Sequence, residues 1–107
     1  MRRYANPIVV ADDLALMCGR TAGVVTLPSH LDWSGSAGYN LDAPGRTVDL
    51  YRTVLIEATK PDDPHAFLDR ATLTRLWPML WLPADHRREW EKRFPQLRDT
   101  ASGATAA

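Results

Sequence analysis

A single cysteine, Cys18, stands in a chain of 107 residues. A lone thiol closes no internal disulfide and cannot alone build a zinc site, so a secreted scaffold stapled by disulfides is excluded. Net charge is missing as well. Thirteen Lys and Arg balance thirteen Asp and Glu, which leaves no overall positive field to hold a polyanion by counterion release. Long apolar runs are absent too. The basic start, Met1 to Tyr4, leads into apolar residues interrupted by Asp12 and Asp13, so neither a signal-peptide core nor a membrane span can form. Nor is there a phosphate-cradling loop: Gly19, Gly23, Gly35, Gly38 and Gly45 match neither a Walker pattern nor a dinucleotide fingerprint. Together with a length near that of one small domain, this excludes a standard kinase or NTPase. The expectation is a soluble, cytoplasmic, single compact unit.

What is present is ordinary globular composition, 45% apolar and 24% charged. Residues 1–26 read ambiguously. Ile8, Val9, Val10, Leu14, Leu16 and Met17 suggest a short helix stopped at Cys18-Gly19, while Val24, Val25 and Leu27 suggest a strand with no second strand to pair with. A docking segment or linker is therefore expected there. Residues 27–42 are dominated by turn formers and follow neither period, yet they carry Leu27, Leu31, Trp33, Tyr39 and Leu41. Such apolar groups in a long loop need a surface to bury against.

Helical signals follow. Asp42 and Pro44 announce a helix whose apolar face is Val48, Tyr51, Val54, Leu55 and Ala58, ending before Pro61. Asp63-Pro64 opens a short second helix. Leu73, Leu76, Trp77 and Leu80 define a third, which Pro78 kinks or cuts short, and a fourth opens at Pro83, presents Trp90 and Phe94, and stops at Pro95. The core is assigned to Val48, Tyr51, Leu55, Leu76, Trp77, Trp81, Trp90 and Phe94, with the three Trp residues as its aromatic cluster. The expected fold is all-α, a small irregular bundle of three to four short helices over residues 43–97 preceded by an extended arm or loop. Residues 98–107 read as a disordered tail.

Candidate chemistry is sparse. Ser29, His30, Asp32 and Ser34 are the residue types of an acyl-transfer triad, but residues so close in one loop do not easily hold an imidazole between nucleophile and carboxylate. Loop-shaping hydrogen bonds by Ser29, Asp32 and Ser34 are the better reading. His30, His65, His86 and Cys18 lack the short spacing from which zinc sites usually start, so no metal and no cofactor is expected. Arg87, Arg88, Lys92 and Arg93 could form a nucleic-acid stripe, yet Asp85, Glu89 and Glu91 interleave with them, which favours a solvated helix face. What survives is an apolar arm seeking a surface, the profile of a binding module, with Leu27, His30, Leu31, Asp32, Trp33, Tyr39 and Leu41 as its partner-binding residues.

The stretches Leu27-Pro28-Ser29-His30-Leu31-Asp32-Trp33-Ser34, Tyr39-Asn40-Leu41-Asp42 and Leu76-Trp77-Pro78-Met79-Leu80-Trp81-Leu82-Pro83, with Trp90-Glu91 and Arg93-Phe94-Pro95-Gln96-Leu97, resemble a small actinobacterial family. Its members accompany nucleotidyltransferase-like toxins of the AbiEii/MenT type, and this chain is similar to their short MenA-type antitoxins over residues 27–97. The resemblance implies an antitoxin that binds and neutralises a cognate toxin transferring nucleotides to tRNA. It also implies an alternative, a kinase-like or kinase-assisting antitoxin acting by toxin phosphorylation, for which the chain supplies no nucleotide site. A small DNA-binding regulator using the helix of Arg87 to Arg93 is the second alternative. Direct binding to nucleic acid or to membrane is not expected.

Overall fold

Two three-residue segments share one pattern, exposed, buried, exposed, and that pattern pairs them. In the computed structural model, which describes residues 8–32 and 38–98, strand β1 (Val24–Thr26) runs antiparallel to β2 (Gly38–Asn40). Val25 faces Tyr39 in the register, and both side chains enter the core. The expected all-α fold is corrected accordingly: the molecule is mostly helical with a small two-stranded sheet. Of Gly-Tyr-Asn only Tyr39 favours a strand, while Gly38 and Asn40 are of types depleted there. The pairing is held instead by burial of Tyr39, because β2 packs on the first helix and a bare two-stranded ribbon is only marginally stable.

Four helices follow: α1 (Arg46–Glu57), α2 (Asp62–Phe67), α3 (Arg70–Leu76) and α4 (Ala84–Arg93). Residues 95–98 are helical as well. The inward face of α1 is Leu50, Tyr51, Val54 and Leu55, while Val48 is only partly buried against the core. Gly45, not Asp42, precedes α1, in the left-handed conformation at φ 78° that glycine tolerates best. The Asp42 carboxylate instead accepts the Gly23 N–H at 3.4 Å, beside the start of β1. Asp69 caps α3 by accepting from the Thr72 N–H at 3.0 Å and the Thr72 hydroxyl at 2.8 Å. Pro78 then limits α3 to seven residues, and a 3₁₀ turn, Trp77–Met79, takes over.

The same proline explains one clear correction. Had α3 continued, Trp81 would lie one turn beyond Trp77 on the buried face. After the 3₁₀ turn the backbone is extended, so side chains alternate: Leu80 is buried, Trp81 is 82% exposed, and Leu82 is again partly buried. Trp81 is a surface residue. The aromatic core is Trp77, Trp90 and Phe94, with ring centroids 6.4 Å apart for the first pair and 5.8 Å for the second, both tilted. Tyr51, Leu55 and Leu76 are buried as expected.

The N-terminal segment is not the expected helix. Among the described residues the segment forms a 3₁₀ turn, Leu14–Leu16, opened by Asp13 accepting the Ala15 N–H at 2.9 Å. Its backbone is committed to α2 and the residues just after it. The N–H groups of Asp12 and Asp13 donate to His65 Nε2 at 3.2 and 3.5 Å, Cys18 N–H to the His65 carbonyl at 2.8 Å, and Gly19 N–H to the Leu68 carbonyl at 2.9 Å. A single hydrophobic cluster results, running from Ala11 and Leu14 through the sheet to Leu97.

Candidate partner-binding surface

The residues singled out in the loop do not project outward together. Leu27, Leu31, Tyr39 and Leu41 are all buried in the chain's own core, so the premise that they lack a local core is corrected. Their burial also explains the loop's composition without a partner. Trp33, expected among the partner-binding residues, and Ser34 lie outside the described residues, as does the tail beyond Arg98.

The Asp32 Oδ2 accepts from the Tyr39 hydroxyl at 2.7 Å, and that hydroxyl lies 3.3 Å from Thr53 Oγ1. Burial is the largest influence on the Tyr39 hydroxyl and raises its pKa, Thr53 acts in the opposite sense, and Asp32 adds to the rise. The Arg46 guanidinium stacks over the ring, 4.6 Å from its centroid. The group is a structural clamp between the loop, β2 and α1.

His30 has a partner that sequence spacing does not reveal, 33 positions away. Its Nε2 sits 2.9 Å from Asp63 Oδ1, while Asp63 Oδ2 accepts from the Thr59 N–H at 3.0 Å and the Thr59 hydroxyl at 3.3 Å. The Asp63 side chain is only 4% exposed. Burial alone would push its pKa up, but the Thr59 N–H and the His30 imidazole together outweigh that and hold the carboxyl below its ordinary range. An aspartate orienting an exposed imidazole is a fragment of a triad. No described serine hydroxyl bonds to that imidazole, and the pair fastens residues 28–32 to α2. Among the described residues no group of three or more His, Cys, Asp or Glu is placed to hold a metal, and no helix is long and apolar enough to cross a membrane.

Leu16 and Val24 are exposed singly, but the most exposed large apolar side chain among the described residues lies elsewhere, on residues 78–83. Met79, 57% exposed, and Trp81 flank buried Leu80. Two arginines pin the backbone between them. Arg52 Nε, on α1, donates to the Trp81 carbonyl at 2.7 Å, and Arg87 Nη2, on α4, donates to the carbonyls of Leu80 and Trp77. Prolines at 78 and 83 bound the segment and restrict it further. Trp81 thus projects from a ledge whose backbone is already ordered, the condition under which burial of an aromatic in an interface loses least to entropy. The signal in the sequence was Pro78, which ends the helical phase that would have carried Trp81 to the buried face. Arg52 as a support could not have been read from spacing.

Comparison of the chain with protein-family models, with curated proteins and with solved structures finds no match.

Proposed function

We propose that this chain is a binding protein that neutralises a nucleotidyltransferase toxin in the cytoplasm, with Trp81 as its principal contact. The observation that carries the binding reading is the contrast among tryptophans: Trp77 and Trp90 are fully buried, whereas Trp81 is held out on a pinned ledge beside exposed Met79. A fully desolvated Trp is among the residues that most often dominate an interface. The identity of the partner rests on the resemblance of residues 27–97 to short antitoxins of such toxins, and tRNA as the toxin's target rests on the same resemblance.

In this reading neutralisation is by capture: the ledge docks on the toxin, and the helical body obstructs it. Co-expression of the tagged chain with an AbiEii/MenT-type toxin tests the proposal. The expected result is a stable complex on size exclusion and restored growth. Separate elution of the two proteins, with growth still arrested, would overturn it.

A further inference from the structure

Arg87, Arg88, Glu91 and Lys92 lie on one side of α4, and Arg98 joins them from the helical residues that follow Phe94. These five side chains line a shallow, open cleft of about 390 Å³. Four are cationic and one is acidic, in a chain whose overall charge is zero. The acidic residues interleaved along the sequence reach the cations from the helix sides, and only Glu91 lies within the lining itself. Glu91, only 21% exposed, accepts the Trp77 indole N–H at 2.9 Å and lies 3.7 Å from Arg87, so its carboxylate is committed to the cleft floor. Asp85 and Glu89 are outside the lining and pair with Arg88 and Lys92 only through exposed contacts along the helix, which are weak and exchangeable.

The Arg87 guanidinium donates to the Trp77 and Leu80 carbonyls and sits 4.9 Å from the Trp77 ring centroid. Arg87 adds charge to the cleft wall while its donors are engaged within the fold, which leaves Arg88, Lys92 and Arg98 to meet a ligand. We propose that this cleft binds linked phosphate groups. Guanidinium forks match phosphate oxygens in bidentate fashion, and a lysine adds a mobile point charge. The lining contains no aromatic or aliphatic residue to stack a base, so recognition falls on the phosphates alone. The volume reaches the lower end of small-ligand sites, more than one phosphate fills. Two adjacent tetrahedral anions suit this density of cations better than carboxylates spaced along a peptide. The source is a free oligophosphate or the backbone of a nucleic-acid strand. The site uses none of the exposed apolar residues of the ledge and stands whether or not the toxin is the partner.

The test is an amide-resolved NMR titration of the full chain with inorganic pyrophosphate at low ionic strength, beside anisotropy with a fluorescein-labelled single-stranded oligonucleotide. Saturable shifts are expected at residues 87–98. A double variant, Arg88→Gln with Lys92→Gln, alters two exposed side chains and should bind about tenfold more weakly while melting unchanged. Arg93→Gln, on the same helix but outside the lining, should bind as wild type. Tighter, more salt-sensitive binding of the oligonucleotide identifies a strand backbone as the source, and the reverse order identifies a free oligophosphate. No saturable shift with either probe, an equal loss in Arg93→Gln, or equally tight binding of polyglutamate would overturn the assignment.

Discussion

Trp77 and Trp90 are both fully buried, yet their indole N–H groups fare differently. Trp77 Nε1 donates to the Glu91 carboxylate at 2.9 Å, whereas Trp90 Nε1 has no hydrogen-bond partner among the described residues. Phenylalanine at either site removes comparable ring area, but only at 77 does it also break a hydrogen bond to a charged group, an interaction of about 1.5–3 kcal/mol. Trp77→Phe should therefore lower the urea midpoint more than Trp90→Phe, and the opposite order would show that Glu91 contributes little. Full truncation, Trp90→Ala, should cost about 3–5 kcal/mol and leave the chain close to unfolded. Asp63 supplies a pH signature. Its folded pKa is depressed, so its contribution is fully present above the ordinary carboxylate value and is lost as pH falls through the folded one. Asp63→Asn should thus be less stable than wild type near neutrality, by about 1–3 kcal/mol, with the gap closing below about pH 4. A gap constant from pH 7 to pH 3 in chemical denaturation would contradict the ionic role. His30 read as a partner-binding loop residue and Asp63 only as a helix start, because nothing local joins two residues 33 positions apart.

Helices with proline and acidic starts were readable because their signals are local. Pro83 opens α4 and Pro78 ends the regular part of α3, and both act through a missing donor and a fixed φ within one turn. The sheet was not readable, because Gly-Tyr-Asn acquires its strand conformation from Tyr39 packing into the core and on α1, a tertiary effect that no short window contains. The segment before it fails for a similar reason. Apolar residues from Ile8 to Met17 mimic a helix, but the N–H groups of Asp12, Asp13 and Cys18 are taken by His65 and that of Gly19 by Leu68. Gly19 makes that docking possible. A Cβ there would lie 2.3 Å from the Phe67 carbonyl carbon and 2.5 Å from the Leu68 nitrogen, contacts with backbone that cannot swing aside. Gly19→Ala should detach residues 11–19 and expose Leu14 and Met17, costing about 1–3 kcal/mol. Protease sensitivity appearing first in that segment would confirm it; a variant as stable and as resistant as wild type would contradict it.

Across the whole molecule, the division into arm, loop and helical platform does not describe the packing. The hydrophobic cluster takes Ala11 and Leu14 from the first segment, Leu27, Leu31, Tyr39 and Leu41 from the second, and the helices from the third. Unbonded apolar residues in an irregular stretch look like a docking arm when read alone, since nothing in the stretch says what will cover them. Here the rest of the chain covers them. Amides of residues 39 and 41 should consequently be protected from hydrogen exchange in the free protein, because Tyr39 is paired in the sheet and the Leu41 N–H donates to Gly23 at 2.7 Å. Recognition then belongs to what the fold leaves uncovered on rigid backbone, Trp81 above all. The decisive measurement is the affinity of Trp81→Ala for the co-purifying toxin, read by isothermal titration beside the melting temperature of the free variant. Trp81→Ala should melt with wild type and bind at least about thirtyfold more weakly, the equivalent of about 2 kcal/mol for an interface anchor. Wild-type affinity in a correctly folded Trp81→Ala would contradict the account and move recognition to another face.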